Sequence, residues 1–292
     1  MTREFDMNDE ALPRLAPRNN ESHKGDYGRA LIIGGSRGMA GAIAITGMAA
    51  LRSGAGLVRV ALPDLILETV AGMHPCLMTI PLENDPFGRI DQAARDRLVE
   101  LCERSTCVAI GPGMGRSLGL DAIVYRLYQS CDCPMVLDAD GMNALPQALP
   151  RTPKAAGPRI LTPHPGEFER FSRVSSKDRP KQIAAAIAIA KENRIVIVLK
   201  GFETVITDGD TTTVNRTGNP KMAVGGSGDC LTGIIAALVC QGLQPLAAAQ
   251  LGTALHGLAG DLAAERLGCP SVLATDLIES LPEAFGKLAA TS

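Results

Sequence analysis

The chain has 292 residues, of which 29 are basic and 31 acidic, so its formal net charge at neutral pH is −2. This balance, with 3% aromatic residues and no tryptophan, disfavours nucleic acid and acidic membranes as partners. The charged N-terminus lacks the apolar stretch of a secretion signal, and no run of about 18 apolar residues predicts a membrane helix. We therefore expect a cytoplasmic protein with no nucleic-acid or membrane partner.

Residues 1–24 are polar, and we expect them to form an N-terminal arm that runs over the surface. From Arg29 onward, short apolar strands alternate with helices. The predicted strands are Arg29–Gly34, Leu57–Leu62, Cys107–Ile110, Pro134–Asp138, Arg159–Leu161 and Ile195–Lys200. The predicted helices are Gly41–Arg52, Gln92–Cys102, Leu118–Tyr128, Gly141–Leu149, Pro180–Glu192, Ser227–Cys240, Pro245–Arg266 and Thr275–Leu288.

A β-hairpin is predicted near the end of this alternation. The β-branched runs Glu203–Thr207 and Thr211–Asn215 flank an Asp-Gly turn, which is typical of hairpins. Strands that alternate with helices predict a mostly parallel sheet covered on both faces, here with an antiparallel edge at the hairpin. Because no linker or repeat interrupts residues 25–292, we predict a single α/β domain there, of three layers.

The loops after the strands are the candidate sites, because ligands of an open parallel sheet bind beyond the carboxyl ends of its strands. The loop Gly34–Ala42 leads into a helix N-terminus, a natural anion site, but lacks the dinucleotide-binding spacing of glycines. The loop Gly111–Gly115 has three glycines in five residues, which leave its backbone open to a ligand. Tight turns and close helix packing explain either loop about equally well.

Three further loops carry polar side chains. Asp138 and Asp140 follow a strand and could hold Mg²⁺ or its waters, although one of them could simply cap a helix. In Thr162-Pro163-His164-Pro165-Gly166-Glu167, two prolines hold the backbone and present a histidine and a carboxylate, which favours a functional role. Lys200 ends another strand and could bind phosphate or lie on the surface.

The strongest signal is Gly225-Gly226-Ser227-Gly228-Asp229, which leads directly into an apolar helix. The glycines expose backbone N–H groups at the helix N-terminus, where the helix dipole favours a transferring phosphoryl group. A carboxylate in the first turn, that of Asp229, can take a proton from an attacking hydroxyl. Helix capping alone does not explain three glycines in one turn. The Walker A spacing is absent, which excludes a P-loop.

These motifs resemble the anion hole and base of ribokinase-like kinases, and more closely those of the ADP/ATP-dependent NAD(P)H-hydrate dehydratases. The second resemblance extends from His23 to about residue 285. Its pieces, in the family's order, are the first-loop Gly-Ala, Ala50–Val58, Gly111–Gly115, Asp138–Asn143, Thr162–Glu167, Lys200-Gly201-x-x-Thr204 and Gly225–Gly233.

The chain departs from the family pattern at several positions. Ser227 stands where threonine is usual, Gly141-Met142 where Ala-Leu is common, and Pro220-Lys221 replaces a glycine-rich approach. None of these changes removes a group to which the resemblance assigns a catalytic role. The epimerase domain that is often fused to this family is not expected, since about 24 residues precede the match.

The resemblance implies a ribokinase-like three-layer α/β/α fold and a lyase that dehydrates the S-form of hydrated NADH or NADPH, with Mg²⁺ as cofactor and ADP or ATP as co-substrate. Deprotonation of the ring hydroxyl, its phosphorylation and loss of phosphate would restore NAD(P)H. The residue roles implied are catalysis by Asp229; an anion hole of Gly226, Ser227 and Gly228; hydrate binding by Ala42, Gly113, Gly115, His164 and Asp229; nucleotide binding by Lys200, Gly201, Phe202, Glu203, Thr204 and Gly228; and Mg²⁺ binding, through water, by Glu167, Asp138 and Asp140.

Two other functions are compatible with the glycine turn and its acid. One is a kinase of the same superfamily that phosphorylates a vitamin alcohol and releases a stable product. The other is a nucleotide sensor without turnover. Analogy with the family favours ADP as the donor, a homo-oligomer such as a tetramer, and functional pairing with a separate epimerase.

Overall fold

The computed structural model describes residues 2–5, 12–145 and 154–290. Within these residues the centre of the fold is a ten-stranded sheet with the order β1-β10-β9-β8-β7-β6-β5-β2-β3-β4. The strands are β1 (Thr2–Phe5), β2 (Arg29–Ile33), β3 (Leu57–Pro63), β4 (Met78–Leu82), β5 (Cys107–Ile110), β6 (Met135–Leu137), β7 (Arg159–Leu161), β8 (Val196–Leu199), β9 (Thr204–Thr207) and β10 (Thr212–Asn215).

Helices cover both faces of this sheet. They are α1 (Ala40–Arg52), α2 (Leu67–Ala71), α3 (Arg95–Glu103), α4 (Leu118–Ser130), α5 (Asp140–Asn143), α6 (Pro165–Ser172), α7 (Arg179–Asn193), α8 (Ser227–Cys240), α9 (Pro245–Leu267) and α10 (Ala274–Ala290). Short 3₁₀ turns lie at Lys24–Tyr27, Asp64–Ile66, Gln92–Ala94 and Pro220–Met222. No helix of the described ranges is both long enough and apolar enough to cross a membrane.

Each strand contributes to two apolar cores because successive side chains point to opposite faces of a sheet. On β2, Ala30 and Ile32 pack into the core beneath α1, α8, α9 and α10. Leu31 and Ile33 pack into the other core, beneath α3, α4 and α7. The predicted three-layer α/β/α arrangement is therefore confirmed.

The sheet is mostly parallel, as predicted. Strand β9 alone runs against its neighbours, pairing antiparallel with both β8 and β10. The hairpin of β9 and β10 is not the edge of the described sheet, however, because β1 pairs in parallel with β10, with Thr2 opposite Thr212. The sequence did not predict β1 because its residues lie in a polar segment, and the unpaired edge of β10 supplies its hydrogen-bond partners.

Three other elements, β4, α2 and α6, were missed by the sequence analysis. Strand β4 contains Pro81, which normally argues against a strand, but β4 lies at the opposite edge of the sheet, where proline is tolerated. Helix α6 begins at Pro165, a favoured first position, inside the segment that was interpreted as a loop. The predicted helix Gly141–Leu149 is observed as Asp140–Asn143, and residues 146–149 lie outside the described ranges.

Helix α8 is the buried helix on which the glycine turn is mounted. Its residues from Cys230 to Cys240 are all buried, between the sheet and helices α1 and α9. A side chain at Gly233 would lie only 2.2 Å from the backbone oxygen of Thr46, so a glycine is required where α8 and α1 approach each other. This close packing holds the N-terminus of α8 rigidly at the carboxyl ends of the central strands.

Candidate active site

Three neighbouring strands end in a polar network. Asp138 follows β6, Thr162 follows β7 and Lys200 follows β8. The same carboxylate oxygen of Asp138, Oδ1, accepts hydrogen bonds from the Thr162 hydroxyl at 2.7 Å and from the Lys200 Nζ at 3.0 Å. Asp138 is only 2% exposed, so these two donors replace most of its hydration. Thr162 was part of a predicted motif, but its role as a donor was not foreseen.

Glu167 joins this network from the first turn of α6. Its Oε2 lies 3.9 Å from the Lys200 Nζ and accepts the His164 backbone N–H at 2.8 Å. The predicted pair His164 and Glu167 is thus a capping box, because the His164 ring nitrogen Nδ1 accepts the N–H groups of Gly166 and Glu167. The imidazole is half exposed, and its Nε2 faces Glu167 Oε1 at 3.4 Å.

Lys200 is the cation of this cluster, and its side chain is mostly buried. Burial by itself would lower the pKa of Lys200, but the carboxylates of Asp138, Glu167 and Asp229 outweigh it and raise the pKa above the ordinary value. The ammonium group is therefore held in its charged form. A ligand that carries negative charge, such as a phosphate, would meet this cation at the end of β8.

Asp229 occupies the first turn of α8, as predicted. Burial raises the pKa of its carboxyl to about 7, with a further contribution from Asp138, while Lys200 acts in the opposite direction. A carboxyl whose pKa lies close to neutral pH is well suited to accept a proton during catalysis.

The glycine turn lies directly above the Lys200–Asp138 pair. A β-carbon at Gly228 would lie 3.1 Å from the Lys200 Nζ and 3.9 Å from Asp138 Oδ2, so a larger residue would fill the space over the pair. Gly226 has a φ of 90°, a left-handed conformation that favours glycine. The N–H groups of a helix's first turn have no acceptor inside the helix. In α8 this first turn lies next to the Lys200 ammonium group. This arrangement can hold a phosphoryl group.

Three of the predicted hydrate-binding residues, Ala42, Gly113 and Gly115, lie at the glycine loop after β5 and at the helix start that packs against it. A β-carbon at Gly113 would lie 2.9 Å from that of Ala42, so the loop packs closely against the start of α1. The backbone N–H of Gly115 donates to Asp140 Oδ2 at 2.9 Å. The loop is therefore held from two directions, by α1 and by α5.

Asp138 and Asp140, predicted together as Mg²⁺ residues, have different environments. Ala139 between them has a left-handed φ of 47°, and Asp140 bonds to Gly115 and Asn143 rather than to the Lys200 cluster. Asp140 is thus engaged in holding the glycine loop. In the described part of the chain, no group of three or more His, Cys, Asp or Glu side chains is arranged to hold a metal ion.

The predicted nucleotide-binding residues form the connection between β8 and β9. Arg179, the first residue of α7, donates to the backbone oxygens of Leu199, Lys200 and Glu203 and so fastens this connection. At its tip Phe202 is 92% exposed. The sequence analysis missed Arg179, because nothing local in a helical segment indicates contact with a loop 20 residues away.

Helix α9 supports the glycine turn from behind, which the sequence analysis also missed. Asp261 accepts hydrogen bonds from the Gly218 backbone and the Asn219 side chain, each at 2.8 Å. His256 Nε2 lies 2.9 Å from the Ser227 carbonyl oxygen. The available signal was the pair of polar residues, His256 and Asp261, in a helix that consists mostly of apolar and small residues.

The layered sheet, together with a glycine turn and an acid at the start of a buried helix, defines the ribokinase-like class of proteins. A structure of ribokinase from Arabidopsis thaliana complexed with ribose and ATP has the same fold, with a TM-score of 0.56. The match covers 87% of this chain and 98% of the ribokinase chain, at 12% sequence identity. The predicted fold class is confirmed.

Within this class, a family model described as Carb_kinase, NAD(P)H-hydrate dehydratase, matches residues 30–283. The chain belongs to the NAD(P)H-hydrate dehydratase family, as the motifs predicted. It is 43% identical over 274 residues to the Bifunctional NAD(P)H-hydrate repair enzyme Nnr of Moorella thermoacetica, which covers 93% of this chain and 51% of that protein. The chain spans about half the length of the curated relatives it matches.

A solved structure of similar length lies in the same family. The ADP/ATP-dependent NAD(P)H-hydrate dehydratase from Bacillus subtilis, co-crystallized with ATP/Mg²⁺, matches with a TM-score of 0.82 and 30% identity. The match covers 98% of this chain and 99% of that one.

Proposed function

We propose that this protein repairs hydrated NADH or NADPH by nucleotide-dependent dehydration. The observation that carries the proposal is the position of Asp229, which shares the first turn of α8 with the glycines above the Lys200–Asp138 pair. A base beside an anion-binding turn suits transfer of a phosphoryl group to a hydroxyl. Membership of the NAD(P)H-hydrate dehydratase family supports the hydrated nicotinamide ring as the source of that hydroxyl.

In the first step, the hydroxyl oxygen on the nicotinamide ring attacks the terminal phosphorus of ADP or ATP, and the Asp229 carboxylate takes the hydroxyl proton. The phosphoanhydride bond breaks, and the shortened nucleotide leaves. The first-turn N–H groups of α8 and the Lys200 ammonium stabilise the charge on the transferring group. In the second step, the electron pair of the ring nitrogen expels phosphate, and loss of a proton from the neighbouring carbon restores NAD(P)H. Phosphorylation converts hydroxide, a poor leaving group, into phosphate, a good one.

The order of strands supports separate positions for the Gly113–Gly115 loop and the nucleotide connection, with His164, which follows β7, between them. Ala42, Gly113, Gly115 and His164 would bind the hydrate, and the connection Lys200–Thr204 with Gly228 would bind the nucleotide. The loop after β5 and the connection after β8 are separated in the sheet by β6 and β7. Asp138 and Thr162 end those two intervening strands. The reacting groups would meet above them, next to Asp229.

The donor set fits Mg²⁺ held through water and phosphate oxygens rather than by a complete protein cage. Asp138 uses Oδ1 for Thr162 and Lys200, which leaves Oδ2 on the side of Gly228. Glu167 supplies a second buried carboxylate, 3.9 Å from the Lys200 ammonium nitrogen. When bound, Mg²⁺ would neutralise charge on the phosphates. Co-crystallization of the Bacillus subtilis relative with ATP/Mg²⁺ supports the use of a nucleotide with Mg²⁺. Asp140, also predicted to bind Mg²⁺ through water, would instead hold the loop that contains Gly115 by accepting its backbone N–H.

The direct test is recovery of reduced-nicotinamide absorbance. Purified protein, Mg²⁺ and hydrated NADH or NADPH are mixed, and ADP or ATP is added in separate reactions while phosphate release is followed. We expect absorbance and phosphate to rise together with at least one nucleotide, which also identifies the donor. No recovery with either nucleotide would contradict the proposal, and a stable phosphorylated small alcohol would favour the vitamin kinase. Sizing of the protein, with and without an epimerase, tests the predicted homo-oligomer and partner.

The pH dependence of the reaction should report the ionisation of Asp229. A base must be unprotonated, so an acid whose pKa is raised to about 7 is active above that pH and inactive below it. We expect kcat/KM for the hydrate to fall about tenfold for each pH unit below 7 and to level off above it. A flat profile between pH 5 and 8 would be incompatible with Asp229 as the base.

His164 should affect hydrate binding more than nucleotide binding. Replacing His164 by alanine also removes the acceptor that caps α6, so His164→Asn, which keeps a capping acceptor, is the matched control. We expect both variants to raise KM for the hydrate by about tenfold, the effect of one polar contact, with little change in nucleotide Kd. A larger change in nucleotide Kd than in hydrate KM would refute this placement of His164.

A further inference from the structure

The imidazole of His256, on α9, contacts Ser227 in the glycine turn. Its Nε2 lies 2.9 Å from the Ser227 carbonyl oxygen and 3.2 Å from the Ser227 Oγ. A carbonyl oxygen can only accept a hydrogen bond, so Nε2 must carry the hydrogen. An Nε2 that carries hydrogen cannot accept one from the hydroxyl. The Ser227 Oγ is therefore the acceptor in this pair, and its own hydrogen is left for another acceptor.

The position of His256 is set by close packing of α9 against the segment that leads to the glycine turn. The next residue, Gly257, packs so closely that a β-carbon there would lie 2.1 Å from the Thr217 hydroxyl oxygen. That hydroxyl donates to the Ala254 carbonyl oxygen of α9 at 3.0 Å. Asp261 fixes the following residues, Gly218 and Asn219. The imidazole is consequently presented to Ser227 by a rigid helix.

The ring is neutral at physiological pH. Burial lowers the pKa of His256 to about 4; the hydrogen bond to the Ser227 carbonyl oxygen opposes this shift, and the positive charge of Lys200 adds to it. A neutral ring with its hydrogen on Nε2 supplies one donor to Ser227. It adds no second positive charge beside Lys200, where it would disturb Asp229.

We propose that His256 is a positioning residue that turns the Ser227 hydroxyl toward the anion-binding turn, so that an O–H donor joins the backbone N–H groups of Gly226 and Gly228, while the Ser227 N–H is bonded to the Val224 carbonyl oxygen. The inference rests on the proposed function, because the acceptor of this O–H is the transferring phosphoryl group. A hydroxyl at this position can otherwise rotate to bond with nearby backbone. Contact with His256 removes that freedom before the nucleotide binds.

The test is a double-mutant cycle on turnover. We expect Ser227→Ala and His256→Leu each to lower kcat on the order of 100-fold to 1,000-fold, the cost of one anion-hole donor, with little change in nucleotide KM. The double variant should be no slower than Ser227→Ala, because His256 acts only through that hydroxyl. His256→Gln keeps an N–H donor and should recover most of the activity.

A matched control lies one turn away on the same helix. Thr253 is buried and donates to the Ala249 carbonyl oxygen, with no contact to the glycine turn. Thr253→Val should therefore turn over like the wild type, and the thermal stability of all variants shows that they fold. The inference is overturned if His256→Leu costs as much in the Ser227→Ala background as in the wild type.

Nitrogen NMR of the His256 ring separates this inference from the proposed function. The signal is assigned by its loss in His256→Gln, and inorganic phosphate is the probe. We expect a neutral ring with hydrogen on Nε2 between pH 6 and 8, whose signal shifts on phosphate binding in the wild type and not in Ser227→Ala. A ring that protonates in this range, or phosphate binding without a shift, overturns the inference. Absence of wild-type turnover contradicts the proposed function alone.

Discussion

Asp229→Asn is expected to lower turnover of hydrated NADH on the order of 10³-fold while nucleotide binding is retained. The amide has nearly the same shape but cannot accept the hydroxyl proton, and the loss of a general base typically has an effect of this size. The first-turn N–H groups of α8 and Lys200 are unchanged, so the phosphates keep their partners. Single-turnover kinetics measure the chemical step, and calorimetry with ADP and ATP measures binding.

Asp121→Asn is the matched control for this substitution. Asp121 also lies in the first turn of a helix, α4, and burial raises its pKa as well, but it lies outside the Lys200 network. We expect wild-type turnover for this variant. Turnover of Asp229→Asn within tenfold of the wild type would eliminate Asp229 as the base.

Lys200→Met is expected to lower kcat/KM at neutral pH on the order of 100-fold and to shift the pH profile. The transferring phosphoryl loses a cation, and the carboxyl of Asp229 loses the positive charge that holds its pKa down. That pKa therefore rises, a smaller fraction of Asp229 is ionised at pH 7, and the acidic limb of kcat/KM moves to higher pH. Lys200→Arg, which keeps the charge, should leave the limb near its original position.

The same substitution should also reduce stability, by about 3 kcal/mol, because it leaves the buried Asp138 without its cation. The double variant Lys200→Met/Asp138→Asn removes both charges and should recover most of the free energy of unfolding while remaining inactive. Denaturant unfolding measures the first effect and steady-state kinetics the second. An unchanged acidic limb in Lys200→Met would contradict an electrostatic role of Lys200 at Asp229.

Local sequence was most informative where one segment contains both the reactive groups and the helix that positions them. The glycine turn, its acid and the apolar helix α8 are consecutive, so the anion site and the position of Asp229 could be predicted without any long-range contact. The alternation of apolar strands with helices likewise predicted the layers, because each strand and helix is recognised from its own local pattern. The hairpin was predicted from its Asp-Gly turn for the same reason.

Prediction failed where a residue's role depends on a partner distant in the chain. Asp138 and Asp140 look alike in the sequence, and only their environments distinguish a partner of Lys200 from a support of the Gly115 loop. Arg179 begins a helix whose local pattern indicates packing alone, and the polar side chain of His256 in α9 does not reveal that its partner is Ser227. Strand β1 forms because it pairs with the edge of β10, which lies more than 200 residues later in the chain.

Most of the elements, their alternation, and the glycine turn with Asp229 could be read from local sequence, because they follow from apolar patterns and the conformational freedom of glycine. Only the tertiary structure decided that Asp138, Thr162, Glu167 and Lys200 form one network, with Asp229 next to it. Burial raises the pKa of Asp229, Asp138 and Glu167 add to the rise and Lys200 opposes it, and these effects act through space between residues that are up to 91 positions apart in the chain.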